Sequence, residues 1–293
     1  MQGNTYSKTF NEVAFQGVLS RKTINPGFLE RSSSLNQITF RTMAIQATPI
    51  KEIIEEGEGI KTFLFKRKLK AKPGQFLMLW LPEFGEKPFS ISFLEKKYFG
   101  TTIAKKGEFT SALHSMHEGD LIGVRGPFGN GFSLKGKNIL CVGGGSGVAP
   151  LHFLASEALK KKMSAEFVIG ARTEKYLIFA EKLREKGIPV RIATEDGSNG
   201  ERGTTVELLE KMDLSEVDCV YACGREEMLK KVAGICLEKG VKAQLSLENY
   251  KRCGFGLCNQ NCLKQWNFKA CKNGPVFNLK ELRKVKGFFS EKQ

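Results

Sequence analysis

The sequence predicts an antiparallel β-barrel, then a doubly wound α/β domain, then a small cysteine-rich C-terminal loop. Three observations predict this. Between Met43 and about Leu134, short β-type runs are punctuated by Gly and Pro, as in barrels. After Lys135, apolar strand-like runs alternate with amphipathic helix-like ones, the pattern of a parallel sheet covered on both faces. Finally, four of the eight cysteines crowd into the stretch Cys253–Cys271.

Residues 1–42 are polar, Ser/Asn/Thr-rich and poor in acids, and are read as a disordered, dispensable N-terminal extension. A targeting peptide or an upstream start codon are the alternatives. Residues 43–134 supply the barrel through "IKTFLFK", "QFLMLWL", "FSISFL", "FGTTIA" and "DLIGVRGP". Residues 135–243 supply the α/β domain. Its strands are "NILCVGGG", "AEFVIGA", "PVRIATED" and "DCVYACG", and its helices "APLHFLASEALKKK", "LIFAEKLREKG", "TTVELLEKM" and "REEMLKKVAGICLEKG". Residues 244–293 hold the cysteine loop and "GPVFNLKELRKVKGFF".

The formal net charge is +15, yet the lysines are spread along the chain and no nucleic-acid motif accompanies them. A docking face for an acidic protein or cofactor fits that distribution better than nucleic acid. No apolar run has the length of a membrane span, and no secretory signal precedes the fold. A soluble, cytoplasmic protein is expected, with no membrane or nucleic-acid partner. Disulfides fit this setting poorly. Cys141, Cys219, Cys223 and Cys236 lie singly in apolar or glycine-rich surroundings, and most of them read as small buried hydrophobes.

Two stretches carry chemistry. In "CVGGGSGVAPL", Gly143, Gly144, Gly145 and Gly147 form a turn between a buried strand and a helix. Such a turn lets backbone N–H groups approach a pyrophosphate, although the spacing is not G-x-G-x-x-G. In the C-terminal loop, Cys253, Cys258, Cys262 and Cys271 are spaced C-x4-C, C-x3-C and a longer gap. Zinc sites usually pair two short C-x-x-C units. C-x4-C-x2-C…C is the spacing of plant-type 2Fe-2S sites, and only the second gap departs, by one residue. Gly254 and Gly256 would let the loop wrap closely around a cluster. Zinc, or no metal, stand as alternatives.

The ordered set "PGQF", "KPFSIS", "KKGEFT" and "RGPFGNGF", followed by "GGGSGVAP", resembles the ferredoxin-NADP reductase superfamily from about Lys51 to Gly240. That resemblance implies an FAD-binding barrel and a nicotinamide-binding second domain. It implies that Lys87, at the place of the family's arginine, faces the FAD pyrophosphate with Pro88 beside it. Phe89 would lie against the flavin and Ser90 near its N5. Thr102, Ile103 and Ala104 would present a strand edge to the cofactor, and Gly107 and Thr110 would contact phosphate. "YACGREEML" resembles the C-G-P-x-x-M segment, which places Cys223 and Gly224 near the nicotinamide, with Arg225 where proline is usual. Adding "SLENYKRCGFGLCNQNC" and "ACKNGPVF", the chain resembles the electron-transfer subunits of dihydroorotate dehydrogenase B, with Asn273 where aspartate is usual. The resemblance implies FAD, a 2Fe-2S cluster on the four loop cysteines, and NAD, with NADP possible through Arg172 and Lys175. It also implies an FMN-containing catalytic partner in a heterotetramer. The sulfhydrogenase gamma subunit and the small subunit of NADH-dependent ferredoxin:NADP oxidoreductase share this order of domains. A cofactor-free regulatory or scaffolding homologue is the alternative of a different class. No side-chain catalyst is expected. Of the three histidines, His114 and His117 read as helix-surface residues.

Overall fold

Runs rich in aromatic and branched residues between Gly/Pro turns fold as six strands. They are β1 (Gln46–Gly57), β2 (Ile60–Phe65), β3 (Phe76–Leu81), β4 (Gly85–Leu94), β5 (Phe99–Ala104) and β6 (Leu121–Phe128). Each is antiparallel to its neighbours, and they close a barrel in the order β1-β2-β5-β4-β3-β6. Phe63, Phe65, Leu77, Leu79, Ile91, Phe99 and Val124 fill its interior. Helix α1 (Glu108–His114) adds Phe109 and Leu113 to the same core. The computed structural model describes residues 44–248, 251–254, 256, 270–284 and 288–289. The expected extension over 1–42 lies outside them, as do Cys258 and Cys262.

The second layer is a seven-stranded sheet. Its strands are β7 (Asn138–Gly144), β8 (Ser164–Ala171), β9 (Val190–Thr194), β10 (Glu201–Arg202), β11 (Cys219–Gly224), β12 (Lys242–Leu247) and β13 (Val276–Asn278), in the order β10-β9-β8-β7-β11-β12-β13. All neighbours are parallel except β13, which runs antiparallel to β12. The helices are α2 (Val148–Lys160), α3 (Ala180–Arg184), α4 (Thr205–Lys211), α5 (Glu226–Glu238), α6 (Ala270–Asn273) and α7 (Leu279–Arg283).

Strand alternation divides the core into two. Leu140, Val142, Val220 and Ala222 join the layer of α4 and α5, while Ile139, Cys141, Cys219 and Tyr221 join that of α2. Helix α4 begins at a capping box. Thr204 Oγ1 accepts from the Glu207 N–H at 3.3 Å, and Glu207 Oε2 accepts from the Thr204 N–H at 2.6 Å. Such a cap stabilises a helix by about 1 kcal/mol.

The sequence expectations differ from the fold in two places. The helix expected over "LIFAEKLREKG" is only α3, because Phe179 at its N-cap sits at φ 65° with its ring buried. The boundary expected between 243 and 244 falls inside β12, since the segment beyond the cysteine loop returns as β13 and completes the sheet. The four isolated cysteines are all buried, as read from their surroundings.

The layers are docked by polar contacts as well as apolar ones. His152, on α2, is 1% exposed. Its Nδ1 donates to the Ser92 carbonyl on β4 at 3.0 Å, which leaves Nε2 to accept from Lys186 Nζ at 3.1 Å. Burial pulls the imidazole pKa down to about 4; the nearby Lys186 and Lys182 act in the same direction, and the Ser92 bond partly opposes them. An unfolded histidine titrates near 6.5, so the unfolded chain takes up this proton first. His152's contribution to stability is therefore complete above about pH 6.5 and is lost as pH falls towards 4, roughly 3 kcal/mol in full. Urea midpoints across this window should fall more steeply for the natural chain than for His152→Gln. Parallel curves would sink this account.

Candidate functional site

The chain runs outward from β7 to β8 and β9, then returns to β11 and β12 on the other side. The reversal falls between β7 and β11, and ligands of open α/β sheets bind outside the carboxyl ends of strands at such a point. A cleft of about 810 Å³ lies there. Gly144, Gly145 and Ser146 from the turn after β7, and Arg225, Glu227 and Met228 after β11, form its centre. Gly170–Arg172, Glu195 and Gly203–Val206 extend it along the ends of β8 and β9, and Gly59, Ile60 and Ala104–Lys106 of the barrel close it.

The glycine turn is built for close approach. A Cβ on Gly147 would lie 2.1 Å from the Cys223 carbonyl oxygen, so the turn rests directly on the end of β11. At Gly145 a Cβ would meet nothing within 4 Å, so this residue opens on the cleft. These features fit a dinucleotide laid over the turn. Gly143, Gly147, Cys223 and Gly224 lie behind the cleft surface and shape it. Burial, reinforced by Glu248, pushes the Cys223 thiol up to about 12, so it is a neutral group. Tyr176, Glu195, Thr204, Thr205 and Met228 line the cleft but were not picked as binding residues from the sequence. The segment "TEDGSNGERGTTVELL" holds Glu195 and both threonines and is the sequence signal that points to them. Arg172 lies over the Tyr176 ring at 5.4 Å, and Lys175 reaches Glu58 of the barrel at 3.6 Å.

On the barrel, the motif Lys87–Ser90 lies on β4 opposite β3, with Phe76 paired to Ser90 and Leu77 to Phe89. Lys87 is exposed, and Phe89 stacks on Phe109 of α1 at 5.9 Å. Pairing of β4 with β5 stops at Thr101, whereas β2 continues along β5 to Ala104. Thr102–Ala104 therefore keep one edge that no strand covers. At this fork, the buried Thr101 Oγ1 has no hydrogen-bond partner among the described residues. The uncovered edge fits a flat, polar-edged cofactor, whereas Thr101, between the inward-facing Phe99 and Ile103, turns its hydroxyl into the barrel. His114 Nε2 lies 2.9 Å from the Ile103 carbonyl, so this half-buried histidine braces β5, while His117 is exposed. Thr110 Oγ1 accepts from the N–H groups of Lys106 and Gly107, at 2.8 and 3.0 Å, and orders the turn that opens α1.

The cysteine loop meets the barrel at β3 and β6. Gly254 takes φ +84°, and a Cβ there would lie 3.0 Å from the Phe128 ring and 3.1 Å from Met78. The Gly256 N–H donates to Cys253 Sγ at 3.2 Å. Cys271, on α6 and 4% exposed, packs with Phe76, Met78 and Phe128. Cys271 and Gly254, the neighbour of Cys253, thus meet the same apolar patch, and Cys253 already receives an N–H···S bond. This donor set fits an iron–sulfur cluster, with Cys258 and Cys262 outside the described residues. The mostly buried Lys251 places Nζ 4.9 Å over the Phe76 ring and adds positive charge beside the loop. The segment after Cys271 is pinned to the barrel, with the Asn130 N–H donating to the Gly274 carbonyl at 2.6 Å.

Comparison with known proteins agrees with this geometry. Residues 248–283 match the iron-sulfur cluster binding domain of dihydroorotate dehydrogenase B, and residues 141–234 match an oxidoreductase NAD-binding domain. A Methanothermobacter thermautotrophicus protein named "Probable dihydroorotate dehydrogenase B (NAD(+)), electron transfer subunit" is 43% identical over 244 residues, covering 82% of this chain and 91% of that protein. A protein of the same name from Methanocaldococcus jannaschii is 42% identical over 240 residues, covering 82% of this chain and 91% of that one. Among solved structures, an NADH-dependent reduced ferredoxin-NADP oxidoreductase superposes with a TM-score of 0.71 at 28% identity, covering 80% of this chain and 88% of that one. Phthalate dioxygenase reductase shares the fold, with a TM-score of 0.57 at 19% identity, covering 67% of this chain and 64% of that one. Glycine turn, uncovered strand edge and cysteine loop together place the chain in the family of dihydroorotate dehydrogenase B electron transfer subunits, to which it belongs.

Proposed function

We propose that this chain carries electrons between a dihydroorotate-oxidising catalytic subunit and NAD. The observation that carries the reading is the position of Phe76. It packs against Cys271 and is the register partner of Ser90 on the neighbouring strand β4. The cysteine loop and the expected flavin motif thus share the strand pair β3–β4. When bound, FAD supplies two-electron exchange with the nicotinamide, and the 2Fe-2S cluster supplies one-electron exchange with the partner. The protein's own work is positioning. Lys87 and the turn at Gly107–Thr110 would hold the FAD phosphates, Phe89 and Ser90 its ring, and Thr102–Ala104 its polar edge. Gly144 and Gly145 would receive the nucleotide pyrophosphate, and Cys253, Cys258, Cys262 and Cys271 the cluster. The proposed units are the barrel over 43–134, the nucleotide domain over 135–243, and the cluster segment over 244–293, whose β13 completes the sheet. Among the described residues no helix is long and apolar enough to cross a membrane. The partner in this reading contains FMN and joins the chain in a heterotetramer in the cytoplasm.

Expression with its natural partner tests the proposal. The complex should reduce NAD+ with dihydroorotate, whereas this chain alone should only pass electrons from NADH to artificial acceptors. Co-purification with a large ferredoxin-linked flavoprotein would instead favour the activity of the structural neighbour at 28% identity. The cleft also predicts a nucleotide preference. Glu195 lies in it beside Arg172, while Lys175 is engaged by Glu58. A carboxylate there disfavours a 2′-phosphate, so kcat/KM should favour NADH over NADPH by about tenfold or more, equivalent to about 1.4 kcal/mol. A preference for NADPH would contradict this assignment.

A further inference from the structure

One cluster of buried polar side chains has, apart from Thr102, no part in holding FAD, nucleotide or cluster. Glu56 of β1 has a side chain only 3% exposed and accepts from Lys182 Nζ, on α3, at 2.8 Å through each carboxylate oxygen. Its Oε1 also accepts from Thr62 Oγ1 of β2 at 2.7 Å. The Thr62 hydroxyl lies 2.8 Å from that of Thr102 on β5, which in turn lies 2.8 Å from the Ser92 hydroxyl on β4. The Ser92 carbonyl in turn receives His152 of α2. Lys182 also lies over Phe93 and Phe179, at 5.9 and 5.5 Å, and the His152 ring stacks on Phe179 at 4.6 Å. The network therefore runs from α3 through four barrel strands to α2.

Its endpoints matter. Helix α2 starts at the glycine turn proposed to receive the pyrophosphate, and His152 lies five residues beyond Gly147. Ser92 lies two residues beyond Ser90, and Thr102 heads the uncovered edge of β5. Apolar contacts let two layers slide, whereas buried hydrogen bonds and ion pairs fix a register. A displacement of about 1 Å between reacting groups can cost on the order of a hundredfold in rate.

We infer that Glu56, Lys182 and His152 are positioning residues that hold the nucleotide turn at a set distance from the flavin-facing strands, and so set the rate of hydride exchange. This rests on the proposed function. The test uses the full chain loaded with FAD and cluster, mixed anaerobically with saturating NADH, and reads the limiting rate of flavin bleaching. Lys182→Met and Glu56→Gln should slow it by about tenfold or more. NADH affinity should shift by less than about threefold and FAD content should stay unchanged. With NADH deuterated at the transferred position, the isotope effect should rise in the slowed variants. Lys182→Arg, which keeps charge and reach, should recover most of the rate. Equal rates in all four proteins would overturn the inference alone. So would a rate loss that tracks lost FAD or a lowered Tm and that arginine does not rescue. A natural chain that NADH does not bleach would overturn the functional reading, and the inference with it.

Discussion

Cys253→Ser should abolish the cluster's visible and EPR signals and stop electron flow to the catalytic partner, while NADH oxidation through a direct flavin acceptor survives. Iron–sulfur clusters are held by soft thiolates, and a serine hydroxyl is both harder and far less acidic. The loop's geometry is committed to that sulfur, because the Gly256 N–H already points at it. Neighbouring Gly254 has no room for movement towards Met78 and Phe128. Transfer dependent on the cluster should fall by about a hundredfold or more, the size expected when a required carrier is removed. Flavin content should be unaffected, since the barrel's core residues are not among those the loop touches. Retention of a normal cluster signal in the variant would remove Cys253 from the ligand set.

Gly147→Ala should disable the nucleotide domain. The residue's φ of −65° suits any amino acid, so the conflict is one of space. A methyl group would sit 2.1 Å from the Cys223 oxygen, 2.5 Å from its carbonyl carbon and 2.9 Å from the Gly224 nitrogen. All three are backbone atoms in the central strand β11, which is held by ladders to both β7 and β12. Relief therefore requires the turn to lift off the sheet, at a cost of about 3 kcal/mol or more. Lifting the turn also misplaces the N–H groups that would meet the pyrophosphate. NADH-driven flavin reduction should drop at least about a hundredfold, while the barrel keeps its FAD. Gly234→Ala is the control. Within α5 a Cβ at that position meets nothing within 4 Å, so alanine should stabilise by about 0.5–1 kcal/mol. Equal behaviour of the two variants would contradict the steric account.

Most of the architecture was legible because its signals are local. Short β-type runs between Gly and Pro, such as "QFLMLWL", became strands whose inward residues fill the barrel, and the alternating elements after Lys135 became the second sheet. The glycine turn was legible for the same reason, as a buried strand running into small residues and then a helix. Less legible was anything assembled from a distance. β13 is three residues long and owes its existence to pairing with β12, so no periodicity announces it. Helix α3 is short because tertiary packing buries Phe179 in a left-handed conformation, which a helical pattern of residues cannot reveal. Glu56, Thr62, Ser92, Thr102, His152 and Lys182 are ordinary residues on six elements, and only folding joins them. The cysteine spacing suggested a cluster, and the structure adds where it would sit, against Phe76, Met78 and Phe128.

The most direct test of electron passage through this chain is anaerobic addition of NADH to the purified full-length protein, followed by visible absorption and EPR. Flavin absorbance should bleach first. The signal of a reduced 2Fe-2S centre should then grow in, approaching one spin per chain, without any partner present. A protein whose flavin bleaches while no iron–sulfur signal develops, or which NADH leaves unchanged, would contradict the account.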